Sequence, residues 1–126
     1  MLNKKYRLKR QRDFLRLYKR GRSVAYPAFV LYCRERDSRT KHEFVPRVGF
    51  SVSKKVGNAV TRNRIKRRFR HAVREEMAHF IAGQDYVFIV RNAALRHNYA
   101  SLRSQMHRAL TEIMSRPKQK NGSQRN

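Results

Sequence analysis

Apolar residues recur along this chain with two periods, and the changes of period divide it into elements. From Gln11 to Arg20 the spacing is helical. Phe14, Leu17 and Tyr18 share a face through i, i+3 and i+4 steps, and Gly21 follows where helices commonly stop. Residues 28–35, AFVLYCRE, alternate instead, which sends Phe29, Leu31 and Cys33 to one side of a strand and Val30, Tyr32 and Arg34 to the other. The polar, turn-rich run 36–46 predicts a hairpin loop. Alternation returns at 47–53, RVGFSVS, with Val48, Phe50 and Val52 opposed by Gly49, Ser51 and Ser53. A row of such small side chains either lets a ligand backbone approach closely or forms a solvated sheet face.

Lys54 to Asn58 make a basic turn around Gly57, and the helical period then runs from about Ala59 to Ile81. Ile65, Phe69, Ala72, Val73, Met77 and Phe80 form its apolar stripe. Gly83 and Gln84 read as a break. Residues 86–91, YVFIVR, are almost continuously apolar, the mark of a strand buried on both faces. A second amphipathic helix spans 98–114 on a stripe of Tyr99, Leu102, Met106, Ala109, Leu110 and Ile113. Residues 1–10 are basic and predicted to be extended, and 115–126 have no apolar anchor and are predicted to be a disordered tail. The expected architecture is one α+β domain over 1–114, a two-layer sandwich on a small sheet. The two amphipathic helices cover one face, and the short first helix edges a cleft on the other, beside Tyr32 and the Gly/Ser row.

Charge sharpens this picture. The 126 residues hold 32 Lys/Arg against 8 Asp/Glu, a formal charge of +24, which repels itself in a compact fold and favours a polyanionic partner. Residues 54–74 carry nine Lys/Arg and no acid. At about 100° per residue, Asn63, Arg64, Arg67, Arg70, His71 and Arg74 fall opposite the apolar stripe, with Arg62 and Lys66 nearer its edge. A basic helix anchored on a core presents fixed cations, and Arg grips phosphate through two parallel hydrogen bonds. Nucleic acid is therefore the leading partner class and an anionic membrane surface the second. No apolar run approaches the ~20 residues needed to span a bilayer, and the N-terminus lacks the apolar core of a signal peptide. The one cysteine, Cys33, excludes an internal disulfide, suits a reducing cytoplasm and reads as a small buried hydrophobe.

Catalysis by the protein itself finds little support. Of the eight acids only Glu75 and Glu76 adjoin, and helix neighbours do not converge on one site. Two-metal hydrolysis needs clustered carboxylates. His42, His71, His79, His97 and His107 form no i, i+4 pair and have no neighbouring Cys, so no protein metal site is predicted, and no catalytic residue. Phe14, Tyr18 and Tyr32 can stack bases of a single strand, or pack in the core.

Residues 51–70, SVSKKVGNAVTRNRIKRRFR, resemble the RNR signature of the protein subunit of bacterial ribonuclease P. The likeness continues through RDFLRLYKRGRS at 12–23, FVLYC at 29–33 and RVGFSVS at 47–53, and more weakly to about residue 114. It implies a four-stranded sheet with a left-handed βαβ crossover, in a ribonucleoprotein endonuclease whose catalyst is a large RNA and whose magnesium ions are held mainly by that RNA. By motif, Lys54, Lys55, Arg62, Asn63, Arg64, Lys66, Arg67 and Arg70 would face the catalytic RNA. Phe14, Tyr18, Tyr32 and Ser51 would line the cleft for the single-stranded 5′ leader of precursor tRNA. The position of Tyr18 is aromatic in the family without being fixed as Tyr. The rival reading is a basic structural protein of the ribosome or nucleoid, binding folded RNA by charge alone.

Overall fold

The computed structural model describes residues 4–36 and 45–118, so most of the expected 36–46 hairpin loop and the end of the tail lie outside the described residues. Three helices, α1 (Gln11–Arg20), α2 (Ala59–Glu75) and α3 (Tyr99–Ile113), pack on four strands, β1 (Arg22–Ala25), β2 (Phe29–Glu35), β3 (Arg47–Ser51) and β4 (Gln84–Val90). The sheet is mixed, in the order β1-β2-β4-β3. β2 runs antiparallel to both β1 and β4, and β3 runs parallel to β4. A parallel neighbour needs a crossover, and α2 supplies it.

The alternation read from the sequence sorts the side chains by face. Phe29, Leu31 and Cys33 of β2 join Tyr86, Phe88 and Val90 of β4 and Val48 of β3 beneath α2 and α3. Phe69 is fully buried at the centre, with ring centroids 6.0 Å from Phe29, 5.9 Å from Phe88 and 6.2 Å from Phe50. The α3 stripe is buried from Leu102 to Ile113, and its buried Gln105 accepts the Ala28 backbone N–H at 2.9 Å. Side-chain caps start both long helices: Asn58 accepts from Thr61 N and Asn98 from Ser101 N, each a device worth about 1 kcal/mol. The opposite face carries a smaller cluster of Leu8, Leu17, Tyr32 and Val87, with Phe14, Tyr18, Val30 and Ile89 half-buried around it.

Four details depart from the sequence pattern. β1 was not legible, because only Val24 of its four residues is buried; the short turn at Pro27 and Ala28, closed by Tyr26 and Phe29, folds it onto β2. The long helix stops at Glu75 rather than Ile81. The buried Glu76 carboxylate is held by Arg103 and His107 of α3, Met77–His79 form a 3₁₀ turn, and Phe80 reaches the core from extended backbone. β4 begins at Gln84, two residues before the predicted strand and inside the predicted break, after Gly83 turns the chain at φ 82°. At the N-terminus, Lys4–Tyr6 form a 3₁₀ turn and Leu8 N donates to Val48 O, so the segment borders β3 rather than trailing free. Past α3, Arg116 exchanges hydrogen bonds with Arg22 and Ser23 of β1.

Candidate nucleic-acid interface

The α2 face opposite Phe69 is built outward from its cap. Lys54 and Lys55 project from a 3₁₀ turn anchored by buried Val56, and the helix starts at Asn58. Asn63, Arg64, Arg67, His71 and Arg74 are exposed; Arg62, Lys66 and Arg70 are half-buried along the flanks, as the helical period predicts. Arg62 Nε donates to Gly57 O at 3.2 Å, which fixes it at the helix start, and Arg68 reaches across to His97 O on the α3 side. Among the described residues no carboxylate pairs with Lys54, Lys55, Arg62, Arg64, Lys66, Arg67 or Arg70. These cations are held by the fold and left without an internal counterion, the arrangement a polyanion neutralises.

Beside this face, Arg64, Arg67, Arg68, Arg70, His71, Arg74 and Tyr99 line a recess of about 600 Å³. Tyr99 belongs to it, although the sequence placed it simply on the α3 stripe. Its ring lies 5.2 Å from that of His71 and its hydroxyl donates to Glu75. Burial and that hydrogen bond push the Tyr99 phenol up to about 12, so it remains a neutral donor. A tyrosine at the first turn of an otherwise aliphatic stripe is the available sequence signal, since its hydroxyl prefers a polar rim.

The predicted cleft residues do converge on the other sheet face, with a different division of work. Tyr18 and Tyr32 meet edge to face, centroids 5.1 Å apart at 71°. Tyr32 is only 7% exposed, whereas Tyr18 and Phe14 are half-buried and reachable. Burial raises the Tyr18 phenol pKa, and a hydrogen bond from Ser51 partly offsets this. The Gly/Ser row is not an open floor throughout: a Cβ at Gly49 would sit 2.5 Å from Phe14 Cζ and 3.2 Å from Leu8 Cβ. Glycine there admits the protein's own ring rather than a ligand. The reachable surface is thus Phe14, Tyr18, Ser51, Val30 and Ile89, with Tyr32 beneath.

Most carboxylates among the described residues are engaged by the protein's own cations or hydroxyls. Asp85, nearly buried at the β4 start, takes two hydrogen bonds from Arg47 and one from Arg36, all at 2.9 Å. Burial drives the Cys33 thiol up to about 12, leaving it a neutral hydrophobe as expected. The histidines are less scattered than the sequence suggests. His79 and His107 both face Glu76, the ligand atoms of all three lying within 4.8 Å of one another. Burial opposes ionisation of Glu76, but His107 and Arg103 hold its carboxyl below the usual range. No helix among the described residues is long and apolar enough to cross a membrane.

A fixed basic helix on one side of a small mixed sheet, with an aromatic recess on the other, defines a basic α+β protein of the nucleic-acid-binding class. Comparison with known proteins narrows this. The family model described as Ribonuclease P matches residues 2–114. A relative named ribonuclease P protein component from Streptococcus thermophilus is 43% identical over 107 residues, covering 83% of this chain and 89% of that one. One of the same name from Streptococcus pyogenes is 39% identical over 109 residues, covering 86% and 87%. The solved RNase P protein of Staphylococcus aureus superposes with a TM-score of 0.73 at 38% identity, over 84% of this chain and 93% of that chain. The RNase P protein of Thermotoga maritima gives 0.73 at 30%, over 85% and 96%. The chain belongs to the ribonuclease P protein family.

Proposed function

We propose that this chain is the protein subunit of a ribonuclease P, a cytoplasmic ribonucleoprotein that removes the 5′ leader of precursor tRNA by hydrolysing a phosphodiester. The α2 face, with Lys54, Lys55 and Arg62 to Arg70, binds the catalytic RNA. The recess at Phe14, Tyr18 and Ser51 takes the single-stranded leader, its aromatic rings stacking on bases while Tyr32 supports Tyr18 from below. The observation that carries this reading is the row of cations on α2 that no acid among the described residues neutralises, set rigidly on the Phe69 core.

Magnesium, when bound, supplies Lewis-acid activation of the attacking water. Among the described residues, most carboxylates are taken up by the protein's own groups and do not converge on the octahedral shell of oxygens that this ion prefers. Asp85 is taken up by two arginines, Glu75 and Glu76 by Arg103, Tyr99 and histidines, and Glu112 by Tyr26. In this reading the RNA subunit is the main holder of magnesium, and the protein's part is to bind and orient RNA.

The test is reconstitution with the cognate RNA at low magnesium, using precursor with and without a leader. Wild-type protein should promote 5′ cleavage, and Tyr18→Ala should weaken binding of the leader-bearing precursor by about 5- to 150-fold per stacked base lost. The product tRNA should be held as before. An equal loss for both RNAs would favour the rival, charge alone. No gain in cleavage from the wild-type protein would overturn the function.

A further inference from the structure

Where α2 ends, the chain assembles a group of ligands that lies outside the proposed RNA interface. The Glu76 side chain is 6% exposed, while His79 and His107, which face it, are each 51% exposed. Glu76 Oε1 lies 3.1 Å from His79 Nδ1 and 2.9 Å from His107 Nδ1. The two imidazoles stand nearly perpendicular, centroids 4.7 Å apart at 81°. Arg103 Nε donates to the other oxygen, Oε2, at 2.9 Å and its Nη1 reaches Glu75, so the carboxylate is oriented with Oε1 toward the histidines.

We propose that Glu76, His79 and His107 bind a zinc ion, with the remaining coordination position open to solvent. Two imidazole nitrogens and one carboxylate oxygen are a borderline donor set that suits zinc and not magnesium. In a tetrahedral shell with bonds of about 2.0–2.2 Å, ligand atoms stand roughly 3.3 Å apart. The observed 2.9 and 3.1 Å separations need to open by a few tenths of an ångström, and the two imidazole nitrogens, within 4.8 Å of each other, to close by up to about 1.5 Å as the half-exposed rings rotate. Arg103 supplies the outer hydrogen bond that orients a metal-binding carboxylate. His79 comes from the turn after α2 and His107 from α3, so the ion would staple the end of the basic helix to its neighbour. Glu76-x-x-His79 is an i, i+3 pair on consecutive turns, and it gains its third member only through the packing of α3.

Full-length protein in sulfate buffer, titrated with Zn²⁺ against a chromophoric chelator, should bind one equivalent. Co²⁺ in its place should show the intense visible bands of a tetrahedral ion. Zn²⁺ should raise the unfolding temperature and EDTA should reverse the rise. His79→Gln and His107→Gln, both at half-exposed positions that tolerate substitution, should each weaken Zn²⁺ by at least about tenfold and abolish the thermal shift. His71→Gln, at an exposed histidine away from Glu76, should leave both unchanged. Wild-type Zn²⁺ affinity in His107→Gln, or an equal loss in His71→Gln, would overturn the site. So would the absence of one-equivalent binding in the wild type. Circular dichroism of each variant confirms that any loss belongs to the ligand and not to the fold.

Discussion

Two kinds of arginine in this protein can be told apart by one pair of variants. Arg64, Arg67 and Arg70 lie on the outer part of α2 with no acidic partner among the described residues, whereas Arg47 clamps the 9%-exposed Asp85 through two 2.9 Å bonds. Changing the three α2 arginines to Ala removes cations that hold nothing in place, so stability should move by less than about 0.5 kcal/mol per site, and upward where self-repulsion falls. RNA binding should respond instead. If each arginine neutralises one phosphate, the slope of log K against log salt loses about 0.9 per contact. At about 0.15 M salt that is roughly fivefold or about 1 kcal/mol each, hence roughly 170-fold for three. Arg47→Ala should do the reverse. It removes a paired, charge-assisted donor from a nearly buried carboxylate, costing about 2 kcal/mol because Arg36 still compensates Asp85, and it leaves the salt slope unchanged. Fluorescence anisotropy across a salt series gives the slope, and urea unfolding in sulfate gives the stability. A triple variant with wild-type slope, or an Arg47→Ala slope reduced as much as the triple, would refute the distinction.

Four further outcomes follow from packing and burial. Phe69→Ala empties the site among Phe29, Phe50 and Phe88 and should cost about 3–5 kcal/mol by urea unfolding; a loss under about 1 kcal/mol would mean α2 is not anchored there. Gly21→Ala would set a Cβ 2.6 Å from Leu17 O and 2.8 Å from Cys33 O, both backbone, and should destabilise by about 1–3 kcal/mol. Gly49→Ala meets the Phe14 ring instead, so it should disturb leader binding more than the melting temperature. Cys33, with its thiol raised from 9.0 to about 12, should resist thiol reagents at neutral pH until the protein unfolds. The unfolded thiol ionises first, so this contribution to stability is intact below the ordinary thiol pKa and is lost as pH climbs toward 12; rapid labelling of native protein would contradict it.

The sequence was most legible where one periodicity decides the outcome. α1 ends at the predicted residues, β2 and β3 present the predicted faces, and the outer face of α2 follows from a helical wheel because the helix's own period decides it. It was least legible where distant residues intervene. The apolar period continues through Met77 and Phe80, but the pull on Glu76 from Arg103 and His107 ends the helix first. Gln84 reads as turn, yet it pairs with Glu35 and accepts from Cys33. Tyr32 alternates correctly onto the cleft face, but its burial depends on Tyr18 arriving from another element. Faces are local properties; depth and convergence belong to the tertiary fold.

The unequal depth of the two sheet faces bears on how the charge is tolerated. The α2–α3 side holds most of the buried residues and fixes a line of cations with no acidic partner among the described residues, which raises the free energy of the isolated native state. The opposite side, with four buried residues and a half-buried aromatic rim, is thin enough to remain open. A polyanion that binds only the native chain returns stability by mass action, about 2.7 kcal/mol at a concentration one hundred times its Kd. Under the proposed function, removing an α2 cation should act with opposite signs on the two states: the free protein is relieved of repulsion, and the RNA complex loses a contact. If the outcome is as proposed, a surface that weakens the isolated fold and strengthens the complex is one shaped by its partner, and the +24 charge is legible as the cost of waiting for RNA.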